Sequence, residues 1–452
     1  MPSLLGSLMT VRSALLSHQA GMAVTSHNLA NATTEGYTRQ RANLQTLEHS
    51  VDGGNTYGFG VDIASITRSR DEYIDRSLRG ENSELQRNEV LQERLAQISD
   101  ALGDPSDGGF VTSIQNFFAS WQDLANDPES ISVRSSVRSA GQSLTNEFQR
   151  LATKLTEQSN EAESTMRNGV SEVNRLAQSI SELNTRIARE VSLGRSPNDL
   201  LDERDRTLDE LSQWGNITIQ TNSTGTVRVN FGDSSLVDGE NVTRLRFDKS
   251  GTAAGKVVWD GTQREVIINS GQFAGAKELL QTTSEWKASL DSIAVKIAQE
   301  VNSIHQAGVG SDGSTGVNFF AANIGGASDF RLDASIVANV RRIASSGGQG
   351  ESDGLTARAI GQLQQQTMFD GKTITATISD FYGTVGNATS VAETNRAKAE
   401  AGLSQLSAWQ SSVSSVSVDE ETMSMLKHQQ AFAAASKAYT TLSSMMDTLL
   451  AI

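Results

Sequence analysis

The stretch SHNLANATTEGYTRQ, residues 26–40, separates a helical N-terminal pattern from a polar sequence rich in turn-forming residues. Its two asparagines, Asn28 and Asn31, are three residues apart, and asparagine side chains readily bond backbone groups at the end of a helix. Gly36 follows, and glycine adopts backbone angles that other residues resist. This stretch therefore predicts a helix end followed by a tight turn.

Both ends of the chain carry heptad repeats of apolar residues, the pattern typical of coiled coils. The repeat consists of Leu8, Leu15, Met22 and Leu29 at the N-terminus and of Met425, Phe432, Tyr439 and Met446 at the C-terminus, with Leu442 and Leu449 on the partner positions. Ser417 and Glu420 have the spacing of a capping box at the start of the C-terminal helix. We predict that the two terminal helices pair in a coiled coil.

The C-terminal helix has more apolar surface than one partner helix can cover. Small and flexible apolar residues such as Ala431, Ala438 and Met445 lie outside its seven-residue stripe. A two-helix coiled coil buries only one face of each helix. We therefore expect other copies of the same chain to cover the rest, with the ten heptad residues above as the subunit-interaction set.

The composition excludes several classes of function. The chain has 452 residues, a net charge of −15 and no cysteine. An acidic chain without a basic cluster is poorly suited to nucleic acids, whose phosphate backbone requires positive charge. No stretch is apolar enough to insert into a membrane. Residues 1–21 have no basic region ahead of their apolar residues, so we expect no cleaved signal peptide.

The sequence contains no motif for catalysis, a cofactor or a metal. Its 5 histidines include no pair at a metal-ligand spacing. Phosphate loops, nucleophile elbows and dinucleotide fingerprints are also missing. In the acidic run 199–210 the carboxylates alternate with Arg204 and Arg206, which indicates a solvated or ion-paired helix face. We predict a protein that is not an enzyme.

The order of the elements predicts a mainly α, nested multi-domain chain with a small inserted β domain. Ser196 is the predicted N-cap of one helix, with Pro197 in its first turn and Asp199 closing a capping box. The last helix before the terminal one is predicted at 389–415. We assign residues 1–32 plus 418–452 to a coiled-coil domain, 33–215 plus 271–417 to a long-helix bundle, and 216–270 to an outer β domain.

Residues 26–40 resemble the signature shared by flagellar rod, hook and hook-associated proteins. That signature consists of a Ser-x-Asn-Leu-Ala-Asn run, a Thr-x-Gly-Tyr turn and a basic residue. The matching positions are Asn28, Asn31, Thr34, Gly36, Tyr37 and Arg39. The C-terminal run 418–450 is similar to the terminal helix of that superfamily. SPNDLLDERDRTLDELS (196–212) and VNSIHQAGVGSDGSTGVNFF (301–320) are similar to the hook-associated protein 1 family of the hook–filament junction.

The resemblance implies a structural protein of the flagellum. Members of this family leave the cell unfolded through the flagellar type III system and polymerise as a ring on the hook. The hook protein lies below them, and a second junction protein and the filament protein lie above. A cytoplasmic export chaperone holds the C-terminal helix before export. The terminal helices form the inner tube, and because this chain has one small β unit, we expect no second outer domain.

Two other functions fit parts of the pattern. A flagellar hook or rod protein shares the terminal signature, although the run 196–212 argues against it. A secreted coiled-coil adhesin or fibre protein would also carry terminal heptads, but it requires a recognised secretion signal.

Overall fold

The structure is a computed structural model that describes residues 4–47, 49–52, 55–103, 109–250, 255–350 and 353–451. Residues 1–3 and 452, which belong to the predicted coiled-coil domain, lie outside the described residues. The helices are α1 (Leu4–Ala30), α2 (Glu72–Leu102), α3 (Phe110–Asn126), α4 (Ile131–Ser192), α5 (Asn198–Ser212), α6 (Gly271–Ala307), α7 (Ala334–Ala338), α8 (Leu355–Gln362), α9 (Ile374–Ser414) and α10 (Val418–Leu450).

Small antiparallel sheets connect these helices. The strands are β1 (Gln40–Thr46), β2 (His49–Asp52), β3 (Asn55–Gly58), β4 (Val61–Arg68), β5 (Ile217–Thr221), β6 (Val227–Phe231), β7 (Ser234–Asp238), β8 (Asn241–Val242), β9 (Leu245–Asp248), β10 (Lys256–Trp259), β11 (Val309–Gly310), β12 (Ala344–Ser346), β13 (Thr367–Phe369) and β14 (Lys372–Thr373). The predicted class, mainly α with paired terminal helices and an inserted β unit, is confirmed. The three-domain division stays a prediction.

Helices α2, α3, α4, α5, α6, α8 and α9 pack together as a helical layer. Its longest member is α4, with 62 residues. Ser130 begins it as N-cap and accepts a hydrogen bond from the amide of Val133. One face of α4 packs against α3, α5 and α6. Phe148 on that face meets Phe110 and Phe330 edge-on, with ring centroids 4.7 and 5.1 Å apart. The edge-to-face arrangement is favourable for aromatic rings, so the few aromatic residues of the chain stabilise its centre.

Helix α9 begins earlier than predicted. It starts at Ile374 rather than at 389, after the N-cap Thr373, and packs along α2. Glycines at 383 and 386 weaken the helical pattern in the sequence, because glycine disfavours a helix interior. Burial of Phe381 and Val385 against the core compensates for this weakness.

The β insertion is anchored to α4 by two asparagines. Strands β5 to β8 form one antiparallel sheet, and β9 and β10 form a separate hairpin. Asn184 on α4 donates to the carbonyls of Val227 and Gly239 and accepts from the amide of Val227. Asn174 exchanges two hydrogen bonds with Leu245 in the same way. These bonds satisfy strand-edge groups that would otherwise be buried without partners.

The predicted start of α5 is wrong in detail. Pro197, not Ser196, occupies the N-cap, and no side chain bonds the first-turn amides. Asp199 does not close a capping box, because its carboxylate accepts a hydrogen bond from the side chain of Gln40 at 3.0 Å. The tertiary contact replaces the local one.

His305 is a fully buried imidazole whose two nitrogens both have backbone partners. Nδ1 lies 2.6 Å from the carbonyl of Val317, and Nε2 accepts from the amide of Ala344 at 2.9 Å. The network therefore assigns the proton to Nδ1 and leaves Nε2 as the acceptor. Burial lowers the pKa of His305 to about 4. A second proton would point at the amide N–H of Ala344.

We predict that the helical layer loses stability as pH falls from about 6.5 to about 4, because the unfolded imidazole takes up a proton that the folded one refuses. The loss is about 3 kcal/mol for this shift. Urea unfolding, followed through tryptophan fluorescence at several pH values, measures it. His305→Asn cannot titrate and should show a correspondingly flatter pH dependence. Equal pH dependence in both proteins would contradict the assignment.

Candidate assembly site

The first helix ends within the stretch SHNLANATTEGYTRQ, residues 26–40. After Ala30 the side chain of Asn31 donates to the carbonyl of His27 at 3.0 Å, and Thr34 donates to the side chain of Asn31 at 3.2 Å. Gly36 has a φ of +76°, in the left-handed region that favours glycine. The predicted helix end and turn are therefore present.

Asn28 connects three segments of the chain through one side chain. Its Nδ2 donates to the carbonyl of Gln40 at 2.9 Å and to the carboxylate of Glu421 at 3.0 Å. Its Oδ1 accepts from the amide of Gln40 at 3.0 Å and from the hydroxyl of Tyr37 at 2.8 Å. An amide has two N–H donors and two lone pairs, so this buried side chain is fully satisfied. It joins α1, β1 and α10.

Arg39 adds charged hydrogen bonds to the contact between α1, β1 and α10. Its Nε donates to Glu421 at 2.8 Å, and its Nη1 donates to Glu420 at 2.7 Å. Ser417 caps α10, but Glu420 bonds to Arg39 and does not complete the predicted capping box. The backbone amide of Arg39 also donates to the carbonyl of Ser414 at the end of α9. Arg39 therefore holds the α9–α10 connection against the start of β1.

Tyr37 closes the turn over Asn28. Its hydroxyl also lies 3.1 Å from Nδ1 of His27. Burial, followed by the negative charges of Asp199, Asp202 and Glu421, raises the pKa of Tyr37, so the phenol keeps its proton and donates it.

The acidic face of α5 binds the start and end of the β1–β4 hairpin. The amide of Thr38 donates to Asp202 at 3.0 Å. Arg68 donates to Asp202 and Asp205 at 2.8 and 2.7 Å, and Arg70 lies 2.9 Å from Asp205. Burial opposes ionisation, but the guanidinium groups of Arg70, Arg68 and Arg79 lower the pKa of Asp205. The acidic run 199–210 is thus ion-paired, which is one of the two arrangements that the sequence predicted.

The partners of this run are not the arginines within it. Arg204 is buried and donates to the side chain of Asn184 and the carbonyl of Gly225. Burial lowers its pKa to about 10. Arg206 lies on the exposed side of α5. The sequence signalled ion pairing here, but the partner residues at 68, 70 and 79 are too distant in sequence to identify from spacing.

The β1–β4 hairpin, which the sequence did not predict, lies along α1. Ser17 donates to the carbonyl of Val61 at 3.3 Å, and the amide of Val61 donates to Ser13 at 3.2 Å. Gly60 has a φ of +100°, and a side chain there would collide with Ser13. Small residues on this face of α1 allow the hairpin to approach closely.

The terminal helices α1 and α10 run antiparallel, since His18 meets His428 while Asn28 meets Glu421. Tyr439 and Leu449 are exposed, by 39% and 58%. The other eight heptad residues are half-buried: Leu8, Leu15, Met22, Leu29, Met425, Phe432, Leu442 and Met446. Further apolar side chains of both helices face outward: Leu5, Met9, Leu16, Met423, Leu426, Met445 and Leu450. Their role in subunit contacts stays a prediction.

Within the described ranges, no group of three or more histidine, cysteine, aspartate or glutamate side chains is arranged to hold a metal ion. None of the helices in that part of the chain is long and apolar enough to cross a membrane. The chemistry of this region is hydrogen bonding, ion pairing and apolar contact.

Two sequence families match the chain. Residues 95–320, half of the chain, match the family described as the flagellar hook-associated protein FlgK helical domain. Residues 411–452 match the family described as the flagellar basal body rod FlgEFG protein C-terminal region.

Curated relatives and a solved structure agree with these families. Flagellar hook-associated protein 1 of Bacillus subtilis strain 168 is 27% identical, over 100% of this chain and 98% of its own length. The protein of the same name from Escherichia coli K12 is 28% identical, over 71% of this chain but only 60% of its own length. The flagellar hook junction protein FlgK of Burkholderia pseudomallei has the same fold, with a TM-score of 0.68 at 16% identity, covering 75% of this chain and all of that chain.

We predict that Asn28→Ala loosens the contact between α1, β1 and α10 and that Asn31→Ala does not. The first variant leaves buried partners without hydrogen bonds, at a cost of about 1–3 kcal/mol, whereas the second removes only local bonds at the turn. Hydrogen exchange of residues 20–45 and of the first turns of α10 measures the effect. Equal protection in the two variants would contradict the central role of Asn28.

Proposed function

Since the chain belongs to the flagellar hook-associated protein FlgK family, it is a structural protein of the bacterial flagellum, and we propose that it polymerises at the distal end of the hook and forms the hook–filament junction. The observation that carries this proposal is the match along nearly the whole length of a hook-associated protein 1. The unpartnered apolar faces of α1 and α10 supply the assembly surface that such a role requires.

Assembly proceeds by burial of these faces between copies. The exposed leucine and methionine side chains are about half accessible in the free chain, so complete coverage by a neighbouring copy contributes about half of the 1.5–3 kcal/mol of a full side-chain burial. Leu5, Met9 and Leu16 provide this surface on α1, and Tyr439 and Leu449 provide it on α10. Two helices with little mutual burial are marginal in isolation, so contact with other copies stabilises them.

The contact of α1, β1 and α10 around Asn28 sets the angle at which the terminal helices enter the assembly. A buried ion-pair network contributes less to stability than to a defined arrangement, because desolvation offsets much of the attraction. Arg39 donates from Nε to Glu421 and from Nη1 to Glu420, and this forked arrangement fixes direction as well as distance. Arg68 donates from Nη1 to both Asp202 and Asp205. Every copy therefore presents its terminal helices at the same angle to its helical layer.

The further partners follow from this position in the flagellum. The hook protein lies below the ring, and a second junction protein and the filament protein lie above it. Export through the flagellar type III system requires an unfolded chain, and a chain without cysteine forms no disulfide that could obstruct passage. Helix α10 is the segment that a cytoplasmic export chaperone would hold, because Glu421 is its only buried residue among those described.

Deletion of the gene in the source bacterium tests the junction role. Electron microscopy should show hooks without filaments, and filament protein should accumulate in the medium. Restoring the gene should restore filaments. Cells without hooks would instead place the protein in the rod or hook, a second candidate favoured by the match of residues 411–452 to rod proteins. Normal flagella would overturn both.

We predict that Leu449→Asp blocks assembly while the free chain folds normally, because Leu449 is 58% exposed before assembly. Leu449→Met, which keeps an apolar side chain, should assemble. Each variant is expressed in the deletion strain. The filaments on each cell are counted, and the amount of filament protein in the medium is measured. The melting temperature of the purified monomer should be unchanged in both variants. Full assembly of Leu449→Asp would contradict burial of this face.

A further inference from the structure

Two histidines from opposite ends of the chain face each other across the seam of the terminal helices. Nδ1 of His18 on α1 lies 3.3 Å from Nδ1 of His428 on α10. The ring centroids are 5.6 Å apart and the rings are tilted by 53°. Gly21, nearly one turn after His18, is buried, and a side chain there would collide with the His428 ring. The seam is thus shaped around this pair of rings.

The contact between the nitrogens sets a limit on protonation. With both rings neutral, one Nδ1–H donates to the lone pair of the other Nδ1. A first added proton can occupy the outer nitrogen, Nε2, of the donor ring and leaves the hydrogen bond intact. A second proton must occupy the accepting Nδ1, which places two N–H groups head to head between two positively charged rings.

The surroundings do not relieve this repulsion. The charged groups acting on His428 are His18 across the seam and Lys427 on its own helix, and both are positive when protonated. On α10 the carboxylate of Glu421 is occupied by Arg39 and Asn28. On the hairpin beside α1, Asp62 accepts from the amide of Ile63 and is exposed.

We propose that His18 and His428 form a proton-sensitive latch between the terminal helices, which stays closed while the pair carries at most one added proton and opens when it takes up the second. The latch acts within one chain and does not depend on the junction role. Burial, followed by the charges of His18 and Lys427, lowers the pKa of His428, which agrees in direction. The helix pairing is then fully present above the ordinary histidine pKa of about 6.5 and weakens as pH falls below it.

The absence of cysteine from the chain allows a direct distance measurement. Gln19→Cys and Gln430→Cys place spin labels at exposed positions of α1 and α10, next to the two histidines. Double electron–electron resonance on the full-length protein gives the distance distribution at about pH 7.5 and about pH 5.5, on either side of the histidine pKa. A His18→Asn/His428→Asn background keeps polar side chains in the seam but cannot titrate.

The latch predicts a narrow distribution at the higher pH and loss of the narrow component at the lower pH. In the double-asparagine background the narrow component should persist at both values. A distribution in the histidine protein that is the same at both pH values, whether narrow or broad, would overturn the proposal. An unchanged pH response in the asparagine background would also overturn it, because other groups would then be responsible.

Discussion

One buried amide holds the N-terminal helix, the first strand and the C-terminal helix together. Asn28 uses both N–H groups and both lone pairs, on Gln40 of β1, Glu421 of α10 and Tyr37 of the turn between α1 and β1, so a shift of any of these residues breaks a hydrogen bond. Arg39 adds charge to the same point by binding Glu421. Residues almost 400 positions apart in the sequence thereby meet in a defined geometry. The direction in which the terminal helices leave the helical layer depends on this contact.

The buried core and the exposed apolar surface lie in different parts of the molecule. The aromatic and aliphatic core lies in the helical layer around α4, where side chains such as Phe148 are fully buried. The terminal helices, in contrast, keep apolar side chains such as Leu5 and Leu449 exposed. A chain that holds its own shape in the middle and leaves its ends underpacked is suited to a polymer, because contacts between copies then supply the missing burial. The ion pairs of α5 connect the two regions without enlarging the core.

Local signals in the sequence predicted much of the helical architecture. The two terminal helices and the turn at Gly36 were predicted from residues close in sequence, and all three are present. The resemblance identified the family from motifs that are also local. The β1–β4 hairpin was missed because β1 is mostly exposed and because the half-buried positions of β4 do not alternate with exposed ones along its whole length. The arginine partners of Asp202 and Asp205 were missed because they lie at least 126 residues away. Glu421 carried a signal, an acid in a helix first turn, but its burial depends on Asn28 and Arg39.

Electron cryo-microscopy of intact hook–filament junctions would show which faces of neighbouring copies meet. We predict a ring of copies with α1 and α10 innermost, in which Tyr439 and Leu449 contact neighbouring copies while the bond between Asn28 and Glu421 is kept. Copies that touch only through their helical or β regions, with Tyr439 and Leu449 in solvent, would contradict this prediction.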